Sequence, residues 1–132
     1  MKIRPAVIAD AETLANWHND PLTRSMSRRK GPFSHERYLA LCDRLRSDSP
    51  NMFIAERAGI PVATYRIDDH EISYMVAPEH RRRGIATEML KMAAQRHGSL
   101  TAEIYPHNVA SIRAAEKAGM VVVLLEMTEH AA

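Results

Sequence analysis

The sequence predicts an α+β domain built on a mixed sheet. Three observations carry that reading. Apolar periodicity and turn residues fall in the order β-α-α-β-β-β-α-β-α-β. Residues 51–57 and 60–67 read as strands that meet at Ala58-Gly59, a tight turn that makes them a hairpin. The later strands alternate with helical segments, as strand–helix–strand units do. At 132 residues the chain is expected to be one domain, residues 1–132, large enough for a single core.

Each element has a local reason. Residues 2–5 form a short strand whose pairing Pro5 ends. Asp10 caps a first helix that places Leu14 and Trp17 on one face. Asn19-Asp20-Pro21 stops that helix, and residues 22–32 follow as a loop carrying Arg24, Arg28, Arg29 and Lys30. Ser34 caps a second helix with Tyr38, Leu41, Cys42 and Leu45 at helical spacing. After the hairpin, Asp68-Asp69 turns the chain into a strand over residues 71–76. A third helix begins near Arg83, buries Ile85, Met89, Met92 and Ala93, and ends at His97-Gly98. Residues 100–105 are the next strand. Asn108 caps a fourth helix that Gly119 closes, and residues 120–127 form a final apolar strand.

Composition bounds the function. A net charge of +2 gives no global signal for nucleic acid, so the basic residues matter only where they cluster. The single cysteine, Cys42, excludes an intrachain disulfide and fits a reducing compartment. No apolar run approaches the ~20 residues that a membrane span needs. The opening MKIRPAVIAD has no apolar signal-peptide core, so a cytoplasmic location is expected, with no membrane or metal partner.

The chemistry is concentrated in residues 74–89, YMVAPEHRRRGIATEM. A strand gives way to Pro78, then Arg81-Arg82-Arg83-Gly84-Ile85-Ala86, then an amphipathic helix. The first turn of a helix has unpaired N–H groups and a positive dipole end. A glycine there lets a phosphate approach the backbone, and neighbouring arginines add positive potential. The stretch therefore reads as a pyrophosphate cradle. A P-loop and a dinucleotide fingerprint are both absent. For the arginines alone, a helix start with a solvated basic face is the simpler reading; the strand, Pro78 and the following helix favour the cradle.

Here the chain resembles the GNAT superfamily of acyl-CoA N-acyltransferases. Val76, Pro78, Arg81, Gly84 and Ala86 match V-x-P-x-x-[RQ]-x-x-G-x-[GA]. Asn108, Ser111, Lys117, Gly119 and Met120 match a second motif, N-x-x-[SA] ending in K-x-G-[FM]. The likeness covers residues 3–123. It implies a sheet whose two central strands, 71–76 and 100–105, splay apart to admit the acyl-CoA arm. It implies that the backbone of Met75 and Val76 pairs with pantetheine. Arg81, Arg82, Arg83, Gly84, Ile85 and Ala86 would hold the diphosphate, and Asn108 and Ser111 would touch the cofactor. The family's last strand has too few residues here, only 128–132. That edge would be left open or covered by a second subunit in a homodimer.

The reaction implied is transfer of acetyl from acetyl-CoA to a primary amine. An alkylammonium has a pKa near about 10.4, so a base must remove its proton. The resemblance places a base at the slot that His70 fills, with Glu71 beside it, so both are candidate bases; adjacent strand residues face opposite ways, so one of them at most enters the cleft, and His70 also reads as an exposed turn histidine beside Asp68 and Asp69. A backbone amide near Val76 would stabilise the oxyanion. Relatives place an acidic tyrosine where this chain has Ala115, which leaves Ser111 as a substitute donor. Tyr74 either lines the cleft, grouped with the acceptor-binding residues, or belongs to the core.

The acceptor is read from Trp17, Asn19, Asp20 and Arg24, a W-x-N-D-x-x-x-R pattern that resembles GNAT enzymes acting on nucleotide-linked amino sugars. His35 and Tyr38 extend that likeness. Asn19, Asp20 and Arg24 would then bind the acceptor. A helix stop beside a solvated basic loop explains the same residues. Ribosomal-protein N-acetyltransferases share parts of the pattern, so a peptide amine is the alternative acceptor. A domain that binds acyl-CoA without turnover is the alternative class.

Overall fold

The computed structural model describes residues 1–28 and 30–126. Six strands form one sheet in the order β1-β2-β3-β4-β5-β6. They are β1 (Lys2–Pro5), β2 (Met52–Arg57), β3 (Ile60–Asp68), β4 (Glu71–Val76), β5 (Thr101–Ile104) and β6 (Val121–Leu124). The pairs from β1 to β4 are antiparallel, and β4–β5 and β5–β6 are parallel. The expected α+β class and mixed sheet are therefore observed.

Five α-helices cover the sheet: α1 (Ala11–His18), α2 (Pro21–Met26), α3 (His35–Leu45), α4 (Ile85–His97) and α5 (Val109–Lys117). Short 3-10 turns span Ile8–Asp10 and Pro78–His80. On one face, Ile85, Met89, Leu90 and Ala93 of α4 and Ala114 and Ala115 of α5 pack on Tyr65, Ile72, Ala102 and Ile104. On the other, Leu14 and Trp17 of α1 pack on Ile54 and Ala77, with Met75, Leu41 and Leu45 at the margin. Strand alternation sorts the two faces: Ile72, Tyr74 and Val76 face α4 and α5, whereas Glu71, Ser73 and Met75 face the α1 side. The hairpin turn is as expected, with left-handed φ of 51° at Ala58 and 78° at Gly59.

Four helices were expected and five are found. Residues 22–32 are not all loop, because Asp20 starts α2 as well as ending α1. Its Oδ2 accepts from Thr23 N at 3.1 Å, and Pro21 fills the first helical position, where no N–H is needed. Asp10 does not cap α1 through its side chain. Its carboxylate accepts from the Arg4 guanidinium at 2.8 and 2.9 Å and from Val7 N at 2.8 Å. The final strand ends at Leu124; Met127 and residues 128–132, on which the missing last strand was argued, lie outside the described residues. Val121, Val123 and Leu124 are exposed. No described helix is long and apolar enough to cross a membrane.

Asp10 is 7% exposed and ties β1 to the start of α1. Burial alone would raise its pKa; the Arg4 and Val7 hydrogen bonds and the Arg4 charge outweigh that and lower it. Asp10→Asn should lower unfolding free energy by about 2–4 kcal/mol at pH 7, since it leaves Arg4 half-paired. A depressed carboxyl stabilises above its unfolded pKa, and the gain is lost as pH falls through the folded value. Urea unfolding at pH 7 and pH 3 checks both: the difference between the two proteins should shrink at the lower pH.

Candidate active site

The centre of the sheet is parted. β4 pairs with β3 along its whole length, from Glu71↔Asp68 to Val76↔Ala63. It pairs with β5 only at Glu71↔Thr101 and Ile72↔Ala102. Beyond that point β5 continues against β6 alone. In an antiparallel ladder, alternate residues bond to the same neighbour. Ala77 N donates to Val62 O, so the odd-numbered residues of β4 bond to β3. The N–H and C=O groups of Tyr74 and Val76 therefore face the gap. Val76 is placed as expected. Met75 is not: its backbone is paired with Thr64, and Tyr74 takes the place assigned to it.

The open end of the gap leads to the turn before α4. Arg82 has φ 64° and Gly84 φ 71°, so the backbone turns twice through the left-handed region before the helix starts at Ile85. The first helical bond is Glu88 N to Gly84 O, 3.2 Å, and Gly84 offers no capping side chain. The amides of Ile85, Ala86 and Thr87 have no acceptor among the described residues. A Cβ built on Gly84 would meet nothing within 4 Å, so the space beside Gly84 itself is open. Arg82 and Arg83 are exposed, with Arg83 Nη1 3.5 Å from His80 Nδ1. Arg81 differs. Its Nη2 donates to Asp20 Oδ2 at 2.6 Å and to Thr23 Oγ1 at 2.8 Å. That bond holds Asp20 below the usual carboxylate range, helped by the Thr23 amide.

The α5 side of the gap is closed by a clasp. Ser111 Oγ donates to the Tyr74 hydroxyl at 2.7 Å, and that hydroxyl donates to Ser111 O at 2.9 Å. Asn108 caps α5 by accepting from Ser111 N at 3.4 Å. Burial raises the Tyr74 pKa against the Ser111 bond, so the phenol keeps its proton. Asn108, Ser111 and Tyr74 are thus brought together. Tyr74 sits on the α4–α5 face, not among the acceptor-side residues with which it was grouped. Ala115 is wholly buried in the core.

The opposite face is an open floor of Glu71, Ser73 and Glu103. The neighbouring Glu103 carboxyl, through its side-chain interaction and its charge, raises the Glu71 pKa. Arg28 forms an ion pair with Glu103 from the loop that follows α2. His70 lies in the β3–β4 turn, 83% exposed, with Asp69 at 3.8 Å as its partner. Of the two adjacent base candidates, the floor therefore holds Glu71 and not His70. Glu103 escaped the sequence reading, although its alternation with buried Ala102 and Ile104 marks it as facing this floor.

The three residues assigned to the acceptor hold a loop together. Asn19 Oδ1 accepts from Phe33 N at 2.8 Å, Asp20 caps α2, and Arg24 Nε donates to Lys30 O at 3.1 Å. Asn19 and Arg24 thus bond to the loop, and Asp20 also to Arg81. Arg29 lies outside the described residues.

Fold and site together define an acyl-transfer scaffold: a parted sheet with a free strand edge and an open helix start. Residues 1–121 match the acetyltransferase (GNAT) domain, and the chain belongs to that family. No curated protein matches the sequence closely enough to be reported as a relative. Among solved structures, a GNAT-family acetyltransferase from Bacillus anthracis superposes with a TM-score of 0.71 at 21% identity, over 89% of this chain and 77% of that one. An aminoglycoside acetyltransferase in complex with coenzyme A and kanamycin gives 0.68 at 19%, over 89% and 82%. A ribosomal-protein-alanine N-acetyltransferase from Brucella melitensis gives 0.64 at 29%, over 90% and 83%.

The two outer arginines of the turn should separate on mutation. Arg81→Glu sets a second carboxylate against Asp20 and should lower unfolding free energy by about 1–3 kcal/mol. Arg83→Glu, exposed beside His80, should stay within about 0.5 kcal/mol of the parent. Denaturant midpoints of the two variants check this.

Proposed function

We propose that this chain transfers the acetyl group of acetyl-CoA to a primary amine that approaches over the Glu71–Glu103 floor. One observation carries the reading: the parted β4 edge runs in line with the open start of α4. The residues present suit the cofactor. The free amides of Ile85 and Ala86, the clear space over Gly84, and the exposed Arg82 and Arg83 would hold its diphosphate. The gap-facing groups of Tyr74 and Val76 would take the amides of its arm, as an added strand takes a sheet edge. When bound, the cofactor supplies an activated acetyl thioester. Tyr74 N–H, the free amide next to the closed end of the gap, would donate to the acetyl oxygen.

The Glu71–Glu103 pair would accept the amine's proton. A carboxyl raised by a like-charged neighbour is a stronger base, which narrows the gap to an alkylammonium near about 10.4. The pair also attracts the cation before transfer. The acceptor is therefore best read as a cationic alkylamine. The amino-sugar reading loses its support, because Asn19, Asp20 and Arg24 bind the loop. A peptide α-amine is a second reading, favoured by the exposed floor and by the likeness to the ribosomal-protein-alanine enzyme.

Thiol release from acetyl-CoA across a panel of alkylamines, amino sugars and alanyl peptides tests the proposal. Release with alkylamines supports it, and release with peptides alone selects the second reading. Tight coenzyme A binding without release on any amine would show a binding domain instead. Arg83→Glu should weaken coenzyme A about tenfold in titration calorimetry. Glu71→Gln should cut kcat/KM by about 10²–10⁴ while leaving coenzyme A affinity unchanged. Activity needs the deprotonated pair, so it should fall as pH drops through the raised Glu71 value. In Glu103→Gln that limb of the residual activity should move to lower pH, because the like charge is gone.

A further inference from the structure

We propose that Asp20 is a positioning residue that couples the cofactor cradle to the acceptor wall. The inference rests on the acetyl-CoA reading above and adds a coupling between its two sites.

The coupling is visible as a chain of contacts. Asp20 Oδ2 is a hub: it accepts from Arg81 Nη2 at 2.6 Å, from Thr23 N at 3.1 Å and from Thr23 Oγ1 at 3.3 Å. Arg81 begins the turn that leads through Arg82 and Gly84 into α4. From Asp20 the path runs down α2. Ser27 Oγ donates to Thr23 O at 2.7 Å, and Lys30 Nζ donates to Ser25 O at 3.2 Å and to Ser27 O at 2.9 Å. Lys30 also lies 4.5 Å over the Tyr105 ring. The path ends at Arg28, paired with Glu103 on the floor.

What makes α2 a coupler is what it lacks. None of its residues is buried, and six residues are too few to hold a helix by themselves. With no buried residue, its position depends on polar ties: those at its ends and a contact of Ser25 O with His107 Nε2 at 3.3 Å. One end is Asp20 on Arg81, and the other is the loop that carries Arg28. Whatever orders the Arg81–Gly84 turn therefore orders α2 and its loop, and the effect is reciprocal.

The experiment uses the whole chain and coenzyme A without acceptor. In the parent protein, saturating coenzyme A should slow hydrogen exchange of amides 22–28, 30, 31 and 33 by roughly fivefold or more, although these residues lie outside the cradle. Asp20→Asn keeps a good helix cap but removes the charge pair with Arg81. It should abolish that protection and weaken coenzyme A by roughly tenfold. Thr23→Ala, which removes the second Arg81 ligand and is less prone to unfold, should do the same in part. A merely structural role would lower the melting temperature of both variants and leave the coenzyme-induced protection intact, and that result would overturn the coupling. So would a parent loop that coenzyme A leaves unprotected while binding normally. Failure of the parent to bind coenzyme A at all would remove the functional reading itself, and the coupling with it.

Discussion

Two parallel strands that share only the pairs Glu71–Thr101 and Ile72–Ala102 give this sheet an edge in its interior. Backbone N–H and C=O groups must find partners, and a central strand normally finds them on both sides. Here Tyr74 and Val76 find none in β5, because β5 has turned away with β6. The same strand is fully paired to β3 on its other side, so the unpaired edge is held straight and in register. A rigid edge of that kind is a template for an extended amide chain and for little else. The turn before α4 lies at its open end and the Glu71–Glu103 floor at its closed end. Both sites therefore inherit their positions from this one parting.

The wall of the gap depends on a contact that replaces another. Ala115 fills the place that the family resemblance gives to a tyrosine, and it packs in the core without a polar atom. Tyr74 instead crosses from β4 to α5 and closes a two-bond clasp with Ser111. The clasp sets the distance between strand and helix where the strands no longer do. It also puts the hydroxyl on the strand side of the gap rather than on the helix.

Much of this was legible in the sequence. The hairpin, the strand–helix–strand order and the two motif stretches fix the sheet and the α4 turn, because turn glycines and alternation act locally. The Val76 edge, the Gly84 turn and the Asn108 cap were read correctly as backbone features. What could not be read was which side chains consume one another. Asn19, Asp20 and Arg24 look like an acceptor site because they are polar and clustered; in three dimensions Asn19 and Arg24 bind the loop next to them, and Asp20 caps α2 and pairs with Arg81. Arg81 looks like its neighbours Arg82 and Arg83, yet pairs with Asp20, sixty-one residues away. Met75 was misassigned by one residue, since the ladder's parity depends on where β3 pairs. Glu103 was missed because nothing local says that the loop after α2 will bring Arg28 to it.

The charges explain why a net +2 reveals so little. Two carboxylates around the site are matched by an arginine from another element: Asp20 by Arg81, Glu103 by Arg28. Among the described residues, Arg82 and Arg83 at the α4 turn and Glu71 on the floor have no ion-pair partner of opposite charge. The site is thus positive where a diphosphate would rest and negative where an ammonium would arrive. Segregation of that kind would favour two oppositely charged ligands at two ends of one gap, while Arg81 and Arg28 offset the charges of Asp20 and Glu103 between them. The same two arginines are the terminal links of the α2 path. The pairs that neutralise Asp20 and Glu103 are thus the same contacts through which the proposed coupling would run.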